Sequence, residues 1–483
     1  MMKKIQIFGT LVTVLFLSLV IISCNSDLDD YSQNPNDPTD TSPDLLLTAM
    51  QVATFSAYSG NNVRIPAMWV QQIAGTSEGQ YGAYCNYDVR EATIDNDWGT
   101  SFENAIGTGK VIVTDFSENY DYYNGIAKIL LAFNFGLATD LWGDIPFAEA
   151  GKARDGNLNP LYETQENVIV GMQLLLDEAI TLLSNNNAKN YLIPGSDDLI
   201  FGGNIARWIS IAHVLKARYY LRVSLRDSNA LDLALNSLSN ANLTGIENDM
   251  NAVFPNSGGN SKNQWKDFED NRANYIKMGA YYVDLLKSTN DPRLPYFVAK
   301  DNSGNYSGNV LGDITTISSS KVGPAVASNR APIGLVTYTE AKFIEAEIYI
   351  RKTGKDTEAE NAFEMAIKSS MDRVNSLKAY FEGNDASLGD ISATDIDAFV
   401  NSQTTNLTLE NILRQKYVAL FSSLEPYNDF RRTGFPNLTP NPNAVGNLTK
   451  IPVRFPTAST ERLYNTNAIV VSDISQNVWW DVD

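Results

Sequence analysis

Few residues in this chain are spaced for covalent chemistry, and each candidate set lacks a partner. Gly75-Thr-Ser-Glu-Gly79 has the G-x-S-x-G spacing of a nucleophile elbow, which needs a strand before it and a helix after it. The stretch that follows, Gln80 to Asp88, has no helical pattern. A serine nucleophile also needs a base, and the only histidine, His213, falls mid-helix between Ala212 and Val214. A single histidine also removes H-E-x-x-H zinc sites and most histidine-based metal clusters. Asp140 and Asp144 lie four apart, as two ligands of one cation would, but a solvated turn is the simpler reading. Glycoside hydrolysis needs two facing carboxylates, and nothing among 56 acidic residues nominates a pair. No phosphate loop or dinucleotide fingerprint is present. The expectation is a protein that is not an enzyme and carries no cofactor or metal. The alternatives are a lipid-anchored hydrolase acting through Ser77 and an adhesin scaffold without a small ligand.

The residue best placed for modification is Cys24. Lys3 and Lys4 precede an apolar run from Ile5 to Ile22, which ends at Ile21-Ile22-Ser23-Cys24. The run is long enough to span a bilayer, but a small residue followed by cysteine argues for cleavage. Residues 1–23 read as a lipoprotein signal peptide, cut before Cys24, with acyl chains such as palmitate placed on that thiol and held in lipid. Residues 24–44, rich in Asp, Asn, Pro, Ser and Thr, read as a flexible lipidated tether. Cys85 is the only other cysteine, so with Cys24 acylated no internal disulfide forms; it reads as a small buried residue.

Binding without chemistry calls for aromatic faces beside amides and carboxylates. The segment from Trp69 to Tyr87 concentrates these in Trp69, Gln71, Gln72, Tyr81, Tyr84 and Tyr87, with Gly75, Gly79 and Gly82 opening the backbone. A second candidate is Trp265 with Phe268, beside a loop rich in Gly, Ser and Asn. Trp98, Phe102 and Ile106 recur at helical spacing and read as core; Trp479-Trp480 suits a packed tail. A net charge of −19 argues against nucleic acid as a partner.

The elements that must position these residues are helices. Val168, Met172, Leu175, Ala179 and Leu182 form a stripe in Glu166–Leu183, and Ile205, Trp208, Ala212, Leu215 and Tyr219 form the next. Leu409, Leu413, Tyr417 and Leu420 repeat the pattern. Thr337-x-x-Glu340 is a capping box, Gly354 stops that helix, and Thr357-x-x-Glu360 opens another. Two amphipathic helices joined by so short a turn form an antiparallel hairpin, the unit of tetratricopeptide-like solenoids. Asn248–Lys262 and Asp301–Pro332 lack periodicity and read as long loops. Residues 45–483 show no linker that would divide them, so they read as one domain.

Several unusual segments follow one another in order. They are Asp140-Leu-Trp-Gly-Asp-Ile-Pro-Phe147, Trp208 to Arg218 with Tyr220-Leu-Arg222, Asn290-Asp-Pro-Arg-Leu-Pro-Tyr-Phe297, and Tyr338 to Glu347. Gln415 to Leu420 then leads to Glu425-Pro-Tyr-Asn-Asp-Phe-Arg-Arg-Thr-Gly434, and Ile451-Pro-Val-Arg-Phe-Pro456 closes the series. Behind a lipobox, this succession resembles the SusD/RagB-like nutrient-binding lipoproteins, in the SusD-like second subgroup, over nearly the whole chain. The resemblance implies a mainly α fold, a tetratricopeptide-like scaffold whose long loops build a binding face. It implies an outer-membrane protein facing the cell exterior, without catalysis. Its implied partner is a SusC-like TonB-dependent β-barrel, to which it delivers an oligosaccharide or, second, an oligopeptide. The motif residues themselves read as architecture: Arg293 holding a carboxylate, and Asp429, Arg431 and Arg432 tying helices together.

Overall fold

The computed structural model describes residues 41–258, 261–405 and 407–482. The expected signal peptide, Cys24 and all but the last residues of the expected tether lie outside the described residues. Helix already begins at Pro43, inside the stretch read as tether. Proline suits a first helical turn, where its missing N–H has no intrahelical acceptor to lose.

The fold is mainly α, and consecutive helices pack as antiparallel neighbours. Asp121–Trp142 lies against Gln165–Leu183, which lies against Ile205–Arg222, which lies against Ala230–Asn240. Ile205–Arg222 then meets Tyr338–Ile350, which pairs with Asp356–Leu377 and also touches Leu409–Ala419. The result is the expected tetratricopeptide-like array. Asp121–Trp142 is long and apolar enough to cross a membrane, yet 94% of its most apolar window is buried inside the protein. It is the central core helix.

The apolar stripes are where the periodicity puts them, with one rotation. In Gln165–Leu183 the buried apolar positions are Val168, Ile169, Met172, Leu176, Ala179 and Leu183, so Leu176 and Leu183 replace the expected Leu175 and Leu182. Thr337 caps the Tyr338–Ile350 helix by accepting the Glu340 amide, and Gly354 ends the turn after it with φ of 74°. Thr357 does not cap the next helix; the N-cap position is Lys355, which leaves Thr357 inside the first turn. At the crossing of Asp121–Trp142 and Ile205–Arg222 a β-carbon on Gly136 would sit 2.1 Å from the Tyr219 hydroxyl, so only glycine fits there.

Charged side chains fasten the array from inside. Arg293 grips Asp291 through Nε and Nη2, and its other nitrogen contacts reach Ser370 and Gln415. Arg432 joins Glu347 and Asp429, and Lys416 also pairs with Asp429. Arg431 instead donates to the carbonyls of Asp140 and Val453 and lies 4.4 Å over the Trp480 ring. Asp140 is not in a solvated turn. It is buried, accepting from Arg222, Asn428 and the Trp480 indole N–H at 3.0–3.1 Å. The Trp480 amide donates to Gln165, so Trp480 packs as the tail reading expected. Burial works against both carboxylates around Arg222. Glu425, which takes two hydrogen bonds from it, is nonetheless held well below the usual range, whereas Asp140 is pushed up.

The regions expected as loops are partly ordered by short strand pairs. Met250–Ala252 pairs antiparallel with Ile333–Val336. In 301–332, single bridges join Asn309 to Gly279 and Val322 to Val298.

Candidate functional site

The two aromatic segments nominated from sequence come together, and another strand pair joins them. Ile73–Gly75 runs antiparallel to Ile276–Met278, in the register Ile73↔Met278 and Gly75↔Ile276. This ribbon carries the Tyr81–Cys85 helix against the Gln264–Asn271 helix. Tyr81 and Phe268 meet edge to face with centroids 4.9 Å apart. Tyr84 lies 5.3 Å from Tyr81 on one side, and Tyr275 lies 6.2 Å from Phe268 on the other. The Arg64 guanidinium stands 4.5 Å over Phe268, and Arg272 stands 5.6 Å from the same ring. Gly79 makes room: a β-carbon there would fall 2.2 Å from the Tyr275 ring.

The outcome is an aromatic ledge. Its outer members, Tyr84, Phe268 and Tyr275, are half-buried, and exposed Ser77, Glu78, Gln80 and Arg272 stand beside them in the chain. Tyr81 is the support. It is buried, its hydroxyl donates to Asn61, and Asn61 donates to Asp97 at 3.2 Å. Burial pushes the Tyr84 phenol up to about 12, so it stays a neutral donor and acceptor at neutral pH. Burial likewise pushes the Asp97 carboxyl up to about 6, against the pull of Asn61 and Arg64.

Besides the supporting Tyr81, five of the nominated side chains are buried, and there the sequence expectation needs correcting; Gln71 is one, donating to the Thr439 carbonyl at 2.7 Å. Trp69 is 0% exposed, packed edge-on against Phe455 at 5.5 Å and against Tyr427 at 5.8 Å. Gln72 is buried and donates to the Tyr417 carbonyl at 2.9 Å. Tyr87, with φ of 65°, points inward, where its hydroxyl accepts the Asn441 amide at 2.9 Å. Trp265 is buried beside Phe421, 6.0 Å between rings. Each is held by a segment distant in the chain, which no local pattern displays. Tyr275, Arg272 and Arg64 belong to the ledge and were missed. Only the short alternation of Tyr275 to Met278 hinted at a strand there.

The G-x-S-x-G segment does sit between a strand and a helix, Ile73–Gly75 and Tyr81–Cys85, contrary to the expectation of no helix. Ser77 is exposed, and its amide donates to the Ile314 carbonyl at 2.7 Å. His213 lies on the Ile205–Arg222 helix, its pKa lowered by burial and by Lys216. Among the described residues no three His, Cys, Asp or Glu side chains gather as metal ligands. Cys85 is buried, and burial pushes its thiol up.

A family model described as SusD-like, starch-binding and associating with outer membrane, matches residues 35–456. The chain belongs to the SusD-like family. No curated protein matches it. Solved structures share the SusD-like fold at low identity. A SusD/RagB family protein from Bacteroides thetaiotaomicron superposes with a TM-score of 0.78 at 22% identity, covering 92% of this chain and 99% of that one. A SusD homolog from Bacteroides fragilis gives 0.74 at 19%, covering 91% and 100%. A chitin-binding SusD homolog from Flavobacterium johnsoniae gives 0.70 at 20%, covering 91% and 98%. As a SusD-like chain it belongs among nutrient-binding proteins associated with the outer membrane.

Proposed function

We propose that this chain is a cell-surface lipoprotein, anchored through acylated Cys24, that captures a glycan and hands it to a SusC-like TonB-dependent β-barrel. In this reading the Tyr84–Phe268–Tyr275 ledge is the glycan platform. The observation that carries it is that ledge, built by loops on a SusD-like scaffold and backed by a second layer of packed rings. Flat aromatic faces bordered by amides, carboxylates and a guanidinium suit the C–H faces and hydroxyls of a sugar. A peptide is the second reading, since tyrosine-rich surfaces also bind peptides. Hydrolysis at Ser77 has less support, because the only histidine, His213, lies on the Ile205–Arg222 helix of the scaffold.

The test is the thermal stability of the soluble chain from Asn25 to Asp483 against panels of oligosaccharides and oligopeptides. A ligand at 100 times its dissociation constant adds about 2.7 kcal/mol to folding stability. The expected result is a saturable shift with one glycan class. A shift with peptides alone would replace glycan by peptide. A cooperatively folded sample that responds to neither would overturn the reading.

A further inference from the structure

The ledge gathers cations that no carboxylate answers. Arg64 is 6% exposed, and its guanidinium lies over Phe268 and 5.5 Å from the Trp265 ring. It donates to the Gln264 carbonyl at 3.1 Å and to the Tyr81 hydroxyl at 3.5 Å, while its Nε has no partner. The buried Trp265 indole N–H beside it has none either. Lys277, two residues on from Tyr275, shares that ring's side of the ribbon and is 3% exposed. Its ammonium donates to Asn274 at 3.0 Å. Burial, and then the Lys321 ammonium, lowers its pKa, the mark of a cation short of counter-charge. Arg272 stands exposed at the rim. Among the described residues none of the three has a carboxylate oxygen within 4 Å.

Such cations are exceptions in this protein. Arg218, Arg222 and Arg293, equally buried, each hold a carboxylate, and Arg431 and Arg454 donate to backbone carbonyls. Most acids around the ledge are already engaged. Glu269 pairs with Lys321, Asp270 with Lys262 and Lys266, and Asp88 with Arg90. Asp267 lies about a quarter-turn round the helix from Phe268. Exposed Glu78, and Asp97, to which Asn61 donates, remain against the three cations. In a chain of net charge −19 the ledge is thus locally positive, and its floor of packed rings strengthens that field toward a bound ligand.

We infer that the ledge selects an acidic glycan, one whose sugars carry a carboxylate or a sulfate ester. Arg272 is the residue that reads the charge, because it is exposed and its planar fork of donors matches either anion. Arg64 and Lys277 do not touch the ligand; they supply the field behind the rings. The inference rests on the glycan-binding reading above and narrows the sugar, since a neutral glycan would leave the buried cations uncompensated.

The test is isothermal titration of the soluble chain with matched glycans. Oligogalacturonates and alginate oligosaccharides are compared with their carboxyl-reduced forms, and sulfated galacto-oligosaccharides with their desulfated forms. The expected result is that one acidic series binds about tenfold more tightly than its neutral counterpart, the scale of one charge-assisted hydrogen bond. Added salt should erode that preference, and Arg272→Gln should abolish it without changing the melting temperature. The series that shows the preference identifies the anion. Equal binding of acidic and neutral forms, or a preference that Arg272→Gln leaves intact, would overturn the inference and keep the glycan reading. Binding of no glycan by a cooperatively folded sample would overturn both. Binding of an acidic peptide alone would also overturn both, and would move the charge preference to the peptide reading.

Discussion

Arg218 and Glu340 form a two-toothed ion pair inside the protein, with Nε and Nη2 each 2.6 Å from a carboxylate oxygen. The pair joins the Ile205–Arg222 and Tyr338–Ile350 helices across 122 residues of sequence. The same guanidinium also donates to the Leu335 carbonyl at 2.8 Å, which fastens the Ile333–Val336 strand to the array. Removing one partner strips the other of its bidentate counter-ion, leaving Arg218 only Glu425 at 3.8 Å, and losses of this kind cost about 3–5 kcal/mol. Arg218→Met and Glu340→Leu should each lower the unfolding free energy from urea titration by that scale. The double substitution should cost less than the sum of the two. Strict additivity in the double-mutant cycle would show that the pair is not coupled.

Gly136→Ala should destabilise, although alanine favours a helix interior by about 1 kcal/mol. The new methyl would displace Tyr219, whose hydroxyl bonds the Ala132 carbonyl at 3.1 Å. Overpacking of this kind costs about 1–3 kcal/mol. Pairing Gly136→Ala with Tyr219→Phe should restore part of the loss, read by thermal unfolding. A Gly136→Ala variant more stable than wild type would contradict the close approach.

Tyr84→Ala and Phe268→Ala should each weaken ligand binding by about 1 kcal/mol, roughly fivefold in Kd, with little change in melting temperature. Trp69→Ala should behave oppositely. It empties a fully buried site and should cost about 3–5 kcal/mol of stability. Isothermal titration beside calorimetric unfolding separates the two classes. Unchanged affinity in both ledge variants would remove the ledge as the platform.

Asp97 gives a pH dependence of definite sign. Burial raises its folded pKa from 3.8 to about 6, so the folded state holds the proton more tightly than the unfolded state does. Its contribution to stability is full below 3.8 and is lost as pH rises through about 6. Asp97→Asn should remove that decline, so the variant should gain on wild type as pH rises from about 4 to about 6 and hold that gain above it. Urea midpoints across the range check it. Parallel curves for the two proteins would show that Asp97 does not titrate in this window.

The helical array was legible because amphipathic stripes and caps are local. Trp208, Ala212 and Leu215 reveal a buried face at three- and four-residue steps, and Thr337 marks a helix start by its own hydroxyl. Pairing between distant segments is not local. Nothing around Ile73 announces that Met278 lies opposite. Trp69 and Tyr87 sit in a glycine-punctuated, tyrosine-rich stretch that looks like an open loop, but Phe455 and Asn441 cover them from the far end of the chain. The ledge was therefore half visible. Its segments could be nominated from ring content, while the division into supporting and outward rings depends on partners supplied by the tertiary fold. The reading of Asp140 as a solvated turn failed for the same reason, since its charge is answered by Arg222 and Trp480.

The seat of Trp480 beside Asp140 has a consequence for synthesis. The two residues are 340 positions apart. At about 5–20 residues per second, a ribosome that has made Asp140 needs roughly 17–70 s more to deliver Trp480. Through that interval the carboxylate's indole partner does not yet exist, and the hole that Trp480 will plug stays open to water. The interior around Asp140 is thus complete only once the segment carrying Trp480 has joined it, wherever in the protein's passage that happens.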